Sequence, residues 1–185
     1  MFIDKLFYRI YQLFSYLIFL LKWSVRLKKV GSGSYWISPC RIIFPSLIEL
    51  GKNVVILNSA RIEIHPLNQS SKGLNIGNGV NIGHNFFCSS SSYIEIKEGT
   101  LISDNVAIID NNHNHVRGES SIKTNISSKP ILIEKNVTIY RNSTILAGVR
   151  IGEGSVIAAH SLINKNVEPF SVVGGCPAKK INDIK

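Results

Sequence analysis

The stretch IEKNVTIYRNSTILAGVRIGEGSVIAAHSLI, residues 133–163, repeats with a period of six residues. An apolar helix face recurs every three or four residues and a strand face every second residue, so this period indicates neither element alone. It predicts a chain that turns a corner every six residues and points the same position inward on each flat side. Stacked turns of such a chain bury one aliphatic column. The inward positions are isoleucines: Ile133, Ile139, Ile145, Ile151, Ile157 and Ile163.

Weaker sets with the same spacing precede this stretch. They are Leu50, Ile56 and Ile62, then Ile76 and Ile82, then Ile96, Ile102 and Ile108. Branched side chains suit the flat strands, whereas glycine and asparagine suit corners because they tolerate positive φ. A chain of 185 residues is expected to form one domain. The repeats therefore predict a single solenoid over most of the chain.

These repeats, together with IGNGVNIGHNFF at 76–87 and the ending VVGGCPAKKI at 172–181, resemble the hexapeptide-repeat acyltransferases. Within them the sequence is most similar to the sugar O-acetyltransferases, which include the maltose, galactoside, nodulation-factor, capsule and colanic-acid enzymes. The resemblance implies a mainly β fold, a left-handed parallel β-helix of three flat sheets. It also implies a homotrimer with acetyl-CoA, the acyl donor, in the cleft between subunits. The expected parts are an N-terminal helix at 1–30, the β-helix at 31–174 with a loop at 110–130, and a C-terminal tail at 175–185.

The repeat breaks between Ile108 and Ile133, where residues 110–130 lack the aliphatic positions of regular turns. We predict a protruding loop there, and loops on rigid scaffolds often carry function. In the acetyltransferases that the sequence resembles, the reacting histidine comes eleven residues after a repeat isoleucine, which from Ile102 gives His113. Histidine titrates near neutral pH, so it can take the proton of a sugar hydroxyl and return it to the leaving thiolate.

Three further polar residues of the loop are candidates for supporting roles. His115 competes with His113 as the base or contacts the substrate. Asp110 orients His113, binds the sugar or caps the start of the loop. Arg117 holds an anionic sugar or a CoA phosphate, or lies in solvent.

For acetyl-CoA, the resemblance places the pantetheine arm along small residues of the C-terminal turns and the phosphates near basic ones. A backbone N–H in these turns or near Asn142 is expected to hold the oxyanion. Two positions depart from the family, since Thr138 stands where a tryptophan is frequent and His160 where a glycine is usual. The candidate cofactor-binding residues are Ala147, Ala159, Ser161, Lys165, Lys179 and Lys180.

The acceptor is expected to be a sugar of a bacterial surface polysaccharide or its lipid-linked precursor, with Ser89 and Ser91 as candidate contacts. An amino sugar acetylated on nitrogen is the nearest alternative. A γ-class carbonic anhydrase is another, because IGH at 82–84 is similar to one of its ligand stretches, but Ser89 replaces the expected second histidine. A non-catalytic scaffold is a third, although it has no use for the loop histidines. We predict no metal site and no nucleic-acid partner.

The N-terminal segment has its own pattern. Apolar residues recur at helical spacing, at Ile3, Phe7, Ile10, Phe14, Leu17, Leu21 and Val25. Its longest uncharged run has twelve residues, too few to span a bilayer, and it lacks a signal-peptide cleavage site. The segment therefore either packs on its own protein or lies in a membrane interface, with basic residues at anionic head groups. We predict the interfacial role.

Charge and cysteines agree with a cytoplasmic protein at the inner face of the plasma membrane. The chain carries a formal charge of +9, which favours an anionic partner such as a phosphorylated cofactor or a membrane surface. Cys40, Cys88 and Cys176 are odd in number and widely spaced. We predict reduced thiols rather than disulfides or a zinc site.

Overall fold

A computed structural model describes residues 2–37, 40–118, 120 and 125–184 of the chain. Residues 119 and 121–124 of the predicted loop, together with Met1, Ser38, Pro39 and Lys185 of the other predicted segments, lie outside the described residues. The described chain forms one helix, α1 (Phe2–Lys22), followed by short strands that wind into a three-sided prism. This is the mainly β fold that the sequence predicts.

The strands of the prism belong to three faces, which we name A, B and C. Face A holds β1 (Lys29–Val30), β4 (Ile48–Leu50), β7 (Gly73–Ile76), β10 (Tyr93–Ile96), β15 (Ile131–Ile133) and β18 (Arg150–Ile151). Face B holds β2 (Tyr35–Trp36), β5 (Val55–Ile56), β8 (Asn81–Ile82), β11 (Leu101–Ile102), β16 (Thr138–Ile139), β19 (Val156–Ile157), β21 (Ser171–Gly175) and β22 (Ala178–Asp183). Face C holds β3 (Arg41–Ile43), β6 (Arg61–Ile64), β9 (Phe87–Ser90), β12 (Ala107–Ile109), β17 (Thr144–Ile145) and β20 (Leu162–Ile163). A 3-10 turn at Pro45–Leu47 and a hairpin of β13 (Asn111–His113) and β14 (Ile126–Ser128) complete the described elements.

The repeat isoleucines form the core of the prism. Apart from β22, the strands within a face pair in parallel, so that Ile82, Ile102 and Ile139 align as neighbours on face B. All three are at most 1% exposed. Burying an isoleucine side chain contributes about 1.5–3 kcal/mol, so a column of them supplies much of the stability of the solenoid.

The A/B and B/C edges of the prism are regular. Each turn places a left-handed residue at the same position of the edge, for example Gly99 and Asn136 at A/B, and Asn105 and Asn142 at B/C. Glycine and asparagine tolerate this conformation better than other residues. Stacking is tight, since a Cβ on Gly77 would lie 2.6 Å from the backbone nitrogen of Glu98 in the next turn.

The C/A edge is irregular. Six positions separate equivalent core residues across the other two edges, but 14 separate Ile62 from Ile76 and 25 separate Ile108 from Ile133. The chain leaves the prism at this edge as segment 65–72 and again after Ile109, where the structure describes residues 110–118, 120 and 125–130. Because parallel pairing stacks the turns, both excursions lie along the same edge.

Helix α1 covers the first turn of the prism with its C-terminal half. Phe19 and Trp23 are buried against Trp36, with ring centroids 4.9 and 5.3 Å from the Trp36 ring. The packing face is therefore not the apolar stripe found in the sequence. The described side chains of that stripe are exposed, among them Phe7 at 67% and Leu21 at 84%. The helix therefore packs on its own protein, one of the two predicted arrangements, and leaves a separate apolar face exposed, while contact with a membrane stays a prediction.

The predicted C-terminal tail is structured. Within residues 175–184, strand β22 folds back on β21 as an antiparallel hairpin at the end of face B. In the described part of the chain, no helix is both long enough and apolar enough to cross a membrane.

Candidate active site

The irregular C/A edge gathers most of the predicted site residues. Each lies at the end of a face C strand or in the segment that follows it. The residues at this edge are Ser89, Ser91, Asp110, His113, His115, Arg117, Ala147 and Lys165. Asn142, Ala159 and Ser161 lie at the other border of face C, and Lys179 and Lys180 lie on β22. The predicted residues thus flank face C rather than scattering around the prism.

His113 ends the first strand of a hairpin that rises from this edge. It pairs with Ile126 across the hairpin, and Asn111 pairs with Ser128. The Asn114 N–H donates to the Asn125 carbonyl over 3.0 Å. The root of the predicted loop is therefore an ordered hairpin, and the side chains of His113, His115 and Arg117 are exposed on it.

The hairpin is fastened to the next turn of the prism. The Lys129 N–H donates to the Asp110 carbonyl over 2.9 Å, which closes the loop at its base. The Gly148 N–H in turn donates to the Lys129 carbonyl over 3.2 Å. The corner at Ala147 and Gly148 therefore lies directly under the hairpin that carries His113.

Asp110 does not orient His113 in this structure. Its carboxylate is fully buried and accepts the backbone N–H groups of Ser91, Ser92 and Tyr93 over 2.7–3.0 Å. It also accepts the Ser90 hydroxyl over 3.0 Å. A carboxylate with several backbone donors is strongly held, so of its predicted roles Asp110 fits the structural one, fixing the turn before Tyr93.

Two more of the predicted contact residues already form hydrogen bonds within the fold. The Asn142 N–H, expected near the oxyanion, donates to the Asp104 carbonyl over 3.1 Å, and the Asn142 side chain lies 3.0 Å from His160 Nε2. The buried Ser161 hydroxyl donates to the Ala158 carbonyl and accepts the Gly175 N–H. By contrast, the Ala147 N–H has no acceptor among the described residues.

The three predicted lysines come together at the C-terminal end of the prism. Lys165, Lys179 and Lys180 line one cavity of about 170 Å³, which also contacts the core residue Val173. Lys180 forms an ion pair of 2.6 Å with Asp183. Two basic side chains, those of Lys165 and Lys179, therefore remain without a described acidic partner. Ala159, in the preceding corner, is exposed.

Face C carries a charge cluster beside Ser89. Glu63 is the register partner of Ser89 and is 7% exposed. Arg61 donates to the Glu63 carboxylate over 2.7 and 3.1 Å, and Arg41 lies 3.6 Å from it. The hydrogen bond from Arg61 holds the pKa of Glu63 below its usual range. This carboxylate is therefore ionised at neutral pH and fixes two arginines next to the predicted acceptor residue.

Sequence reasoning missed segment 65–72. The structure places this segment against Ser91 and Ser92, where the two line a cavity of about 160 Å³ with Ser128 of the hairpin. The 14-residue gap between Ile62 and Ile76 is the signal that identifies it. Larger open grooves of about 480 and 390 Å³ contain none of the predicted residues.

The residues considered for a metal are used otherwise. Among the described residues, no three His, Cys, Asp or Glu side chains lie close enough to share a metal ion. The His84 ring hydrogen-bonds the Asn58 side chain, and the His84 N–H donates to Asp104 over 2.8 Å. Cys40, Cys88 and Cys176 are free thiols.

Residues 130–165 match the family described as bacterial transferase hexapeptide (six repeats). These residues span β15 to β20, where the six-residue period is unbroken. This stretch therefore carries the repeat that defines the family, and the same spacing recurs upstream. A curated relative, the serine acetyltransferase of Buchnera aphidicola subsp. Schizaphis graminum (strain Sg), is 35% identical over 124 residues, which cover 67% of this chain and 41% of the relative. The hexapeptide chain therefore spans about two fifths of the length of that enzyme.

Solved structures share the fold of the hexapeptide chain. The N-acyltransferase AntD of Bacillus cereus, in complex with dTDP and 3-hydroxybutyryl-CoA, has a TM-score of 0.76 at 21% identity, covering 88% of this chain and 86% of that one. A galactoside acetyltransferase in complex with coenzyme A has a TM-score of 0.62 at 25% identity, covering 88% and 68%. The left-handed parallel β-helix that the family resemblance implies is thereby confirmed.

Proposed function

We propose that this chain is an acetyl-CoA-dependent O-acetyltransferase that acetylates a sugar hydroxyl, with His113 as its general base. The observation that carries the proposal is the hairpin of β13 and β14. It holds an exposed histidine above the Ala147–Gly148 corner, where the family resemblance places the pantetheine arm. Coenzyme A in the galactoside acetyltransferase and an acyl-CoA in AntD support the same donor for this chain.

The proposed reaction needs one base and one oxyanion donor. The His113 imidazole removes the proton of the sugar hydroxyl as its oxygen attacks the thioester carbonyl. The Ala147 N–H, which has no described acceptor, is placed to donate to the oxyanion that develops. Collapse of the tetrahedral intermediate breaks the carbon–sulfur bond, and the imidazolium returns its proton to the thiolate. A base of this kind contributes about 10²–10⁴-fold to the rate.

The donor's phosphates are proposed to lie near the C-terminal end of the prism. Lys165 and Lys179 line the same cavity and have no described acidic partner, so their charges are available to a pyrophosphate or 3′-phosphate. Ala147 and Ala159 have short side chains beside face C, which allow an extended thiol arm to approach the backbone. Ser161 is omitted from this proposal because its hydroxyl is already used within the fold.

We also propose a homotrimer whose clefts bring a neighbouring subunit to the C/A edge. In a single chain, the described cavities do not enclose His113. An active site that excludes water would therefore be completed by a second copy. Light scattering in mild detergent should give about three times the chain mass of 20.5 kDa, and a fully active monomer would refute this part of the proposal.

A membrane-proximal sugar is the proposed acceptor. The exposed apolar face of α1 ends beside Lys22, the last residue of the helix, and Arg26, which suits contact with anionic lipid head groups at the inner membrane surface. A surface polysaccharide or its lipid-linked precursor would be available there.

The decisive experiment measures thiol release from acetyl-CoA against a panel of sugar nucleotides and oligosaccharides. Wild-type protein should release thiol with at least one sugar, and mass spectrometry of the product should show an ester that mild base removes. His84→Ala, at the regular B/C edge, is the matched control for His113→Ala. Absence of acetyl-CoA binding in wild-type protein would overturn the proposal.

N-acetylation of an amino sugar is the second candidate. It is favoured by the fold shared with AntD, an N-acyltransferase whose structures include a complex with dTDP-4-amino-4,6-dideoxyglucose. The same assay distinguishes the two, because an amide product survives the mild base that removes an ester.

A further inference from the structure

The small cavity between segment 65–72 and the His113 hairpin has a distinct chemistry. Its lining combines one exposed apolar side chain, Leu67, with serine and asparagine side chains, and it includes no charged residue. Its volume of about 160 Å³ is of the size of one sugar ring. We refer to the cavity as the serine pocket. Its lining residues used below are Leu67, Asn68, Ser70, Ser91, Ser92 and Ser128.

Backbone hydrogen bonds fix both walls of the serine pocket. The Ser91 carbonyl accepts the Ser71 hydroxyl over 2.8 Å, and the Ser92 carbonyl accepts the Lys72 N–H over 2.9 Å. The N–H groups of Ser91 and Ser92 are held in turn by the buried Asp110 carboxylate. A polar site that is organised before binding loses less entropy when a ligand arrives. Asp110 thus links the pocket to the root of the hairpin.

Several polar groups of the pocket remain unused. The hydroxyls of Ser70, Ser92 and Ser128 have no hydrogen-bond partner among the described residues, nor does the Asn68 side-chain amide nitrogen. Hydroxyls donate and accept, whereas the amide nitrogen donates. Leu67 adds an apolar surface of the kind that the C–H face of a sugar ring contacts. A neutral, hydroxyl-rich ring fits this lining better than a phosphate or carboxylate, since no cation lines the pocket.

The pocket lies close to the proposed base. Ser128 pairs with Asn111 across the hairpin, and His113 follows two residues later on the same strand. Two residues of strand advance about 7 Å, so a ring in the pocket is within about one sugar unit of the imidazole. Residues two apart on a strand also share one side of it.

We infer that the serine pocket binds a neutral sugar ring of the acyl acceptor and that segment 65–72 determines acceptor specificity. This inference rests on the proposed acetyltransferase function, and it names the substrate-recognition site that the function requires. The acceptor ring lies among Ser70, Ser92 and Ser128 and presents a hydroxyl, its own or that of the adjoining sugar, to His113.

The test uses full-length protein and an equimolar mixture of methyl glycosides of glucose, galactose, mannose and N-acetylglucosamine. Saturation-transfer NMR reports sugar binding without catalysis. Ser70→Leu and Ser128→Leu fill the pocket, and Ser127→Leu is the control, because Ser127 is exposed and lies on the other side of the same strand. Thermal melting confirms that each variant is folded. Should a leucine variant not fold, Ser70→Ala and Ser128→Ala remove only the hydroxyls.

The leucine variants should lose the sugar signal and raise the acceptor KM at least about tenfold, with the acetyl-CoA KM unchanged. The alanine variants should raise the acceptor KM about two- to tenfold, and Ser127→Leu should stay within about twofold of wild type. If Ser70→Leu and Ser128→Leu turn over as fast as wild type, the serine pocket does not bind the acceptor. The proposed function would still stand. Sugar binding that both variants abolish, in a protein that releases no thiol, would support the pocket and overturn the function.

Discussion

The regular and irregular edges of the prism differ in what their residues do. At the B/C edge, left-handed residues such as Asn85 and Asn105 bond each other from turn to turn, and the side chains of Asn142 and Ser161 are hydrogen-bonded within the fold. At the C/A edge the chain leaves the prism twice and returns, so that His113 projects and a polar cavity opens. The difference teaches that a solenoid separates its tasks by edge. Two edges maintain the stack, and the third is free to vary.

The largest expected effect is the loss of the proposed base. His113→Ala should lower kcat by at least about 100-fold, while His84→Ala at the regular edge should change it less than about threefold. Acetyl-CoA affinity, measured by calorimetry, should be similar in both variants because neither residue is proposed to bind the donor. A larger loss in His115→Ala would identify the other imidazole as the base, and a large loss in His84→Ala would break the division between edges.

The buried core of the regular faces, by contrast, should determine the stability of the protein. Ile139 is fully buried, so Ile139→Ala should lower the free energy of unfolding by about 2–5 kcal/mol. Val116, on the hairpin segment, is 49% exposed, and Val116→Ala should change the free energy of unfolding by less than about 0.5 kcal/mol. Chemical denaturation measures both values. Equal destabilisation by the two variants would mean that the hairpin belongs to the cooperative core.

The two faces of α1 offer the same comparison at smaller scale. Leu21 in α1 and Val25 in the turn that follows it are each 84% exposed, so the double change to serine should leave the melting temperature within about 2 °C of wild type. The variant should lose most of its binding to anionic vesicles in a sedimentation assay, and binding of the wild type should weaken with added salt. Phe19→Ala, on the buried face, is the converse control, with a loss of about 3–5 kcal/mol. Wild-type protein that does not sediment with anionic vesicles would refute the membrane role of the exposed face.

The smallest expected effect concerns an ion network near the regular A/B edge. Lys97 and Arg150 donate to Glu134 over 2.7 and 2.8 Å, and the hydrogen bond from Lys97 is the main cause that lowers the pKa of Glu134. A carboxylate whose pKa is lower in the folded than in the unfolded protein stabilises the fold at pH values above its unfolded-state pKa. This contribution is lost as the pH falls through the folded-state pKa. Glu134→Gln should therefore lower the melting temperature at pH 7 by a few degrees at most, because Arg150 is largely solvent-exposed.

The difference between wild type and Glu134→Gln should shrink as the pH falls through the lowered pKa of Glu134, because the wild-type carboxylate becomes protonated. Glu153→Gln, an exposed position at the same edge, is the control and should leave the melting temperature at pH 7 close to that of wild type. A difference that grows toward low pH would contradict the assigned direction of the pKa shift.

Most of the fold was predictable because its signal is local and repeated. The six-residue spacing, the asparagines and glycines at the corners, and the break after Ile108 are all legible without coordinates. His113 was identified from the family resemblance, by counting eleven residues from Ile102, and the structure places it on an exposed hairpin, although its role stays a prediction. Segment 65–72 was missed even though its gap is legible, because its eight extra residues gain meaning only when the turns are stacked.

The hydrogen-bond partners of Asp110 and the buried face of α1 could not be predicted from the sequence. The donors to the Asp110 carboxylate lie 17 to 19 positions earlier in the chain, so their approach depends on the register between turns. In α1, both Phe19 and Leu21 are apolar, and helical spacing alone cannot decide which of them is buried. The ring of Trp36, brought to the helix by the first turn of the prism, decides in favour of Phe19.

The sequence by itself determined the period, the corner residues and the place where the chain leaves the solenoid, because each depends on residues within one turn. Only the tertiary structure decided that both long excursions share one edge, that Asp110 is a buried clamp, and which face of α1 packs. These features depend on contacts between turns, and parallel stacking brings residues about 20 positions apart to within hydrogen-bond distance.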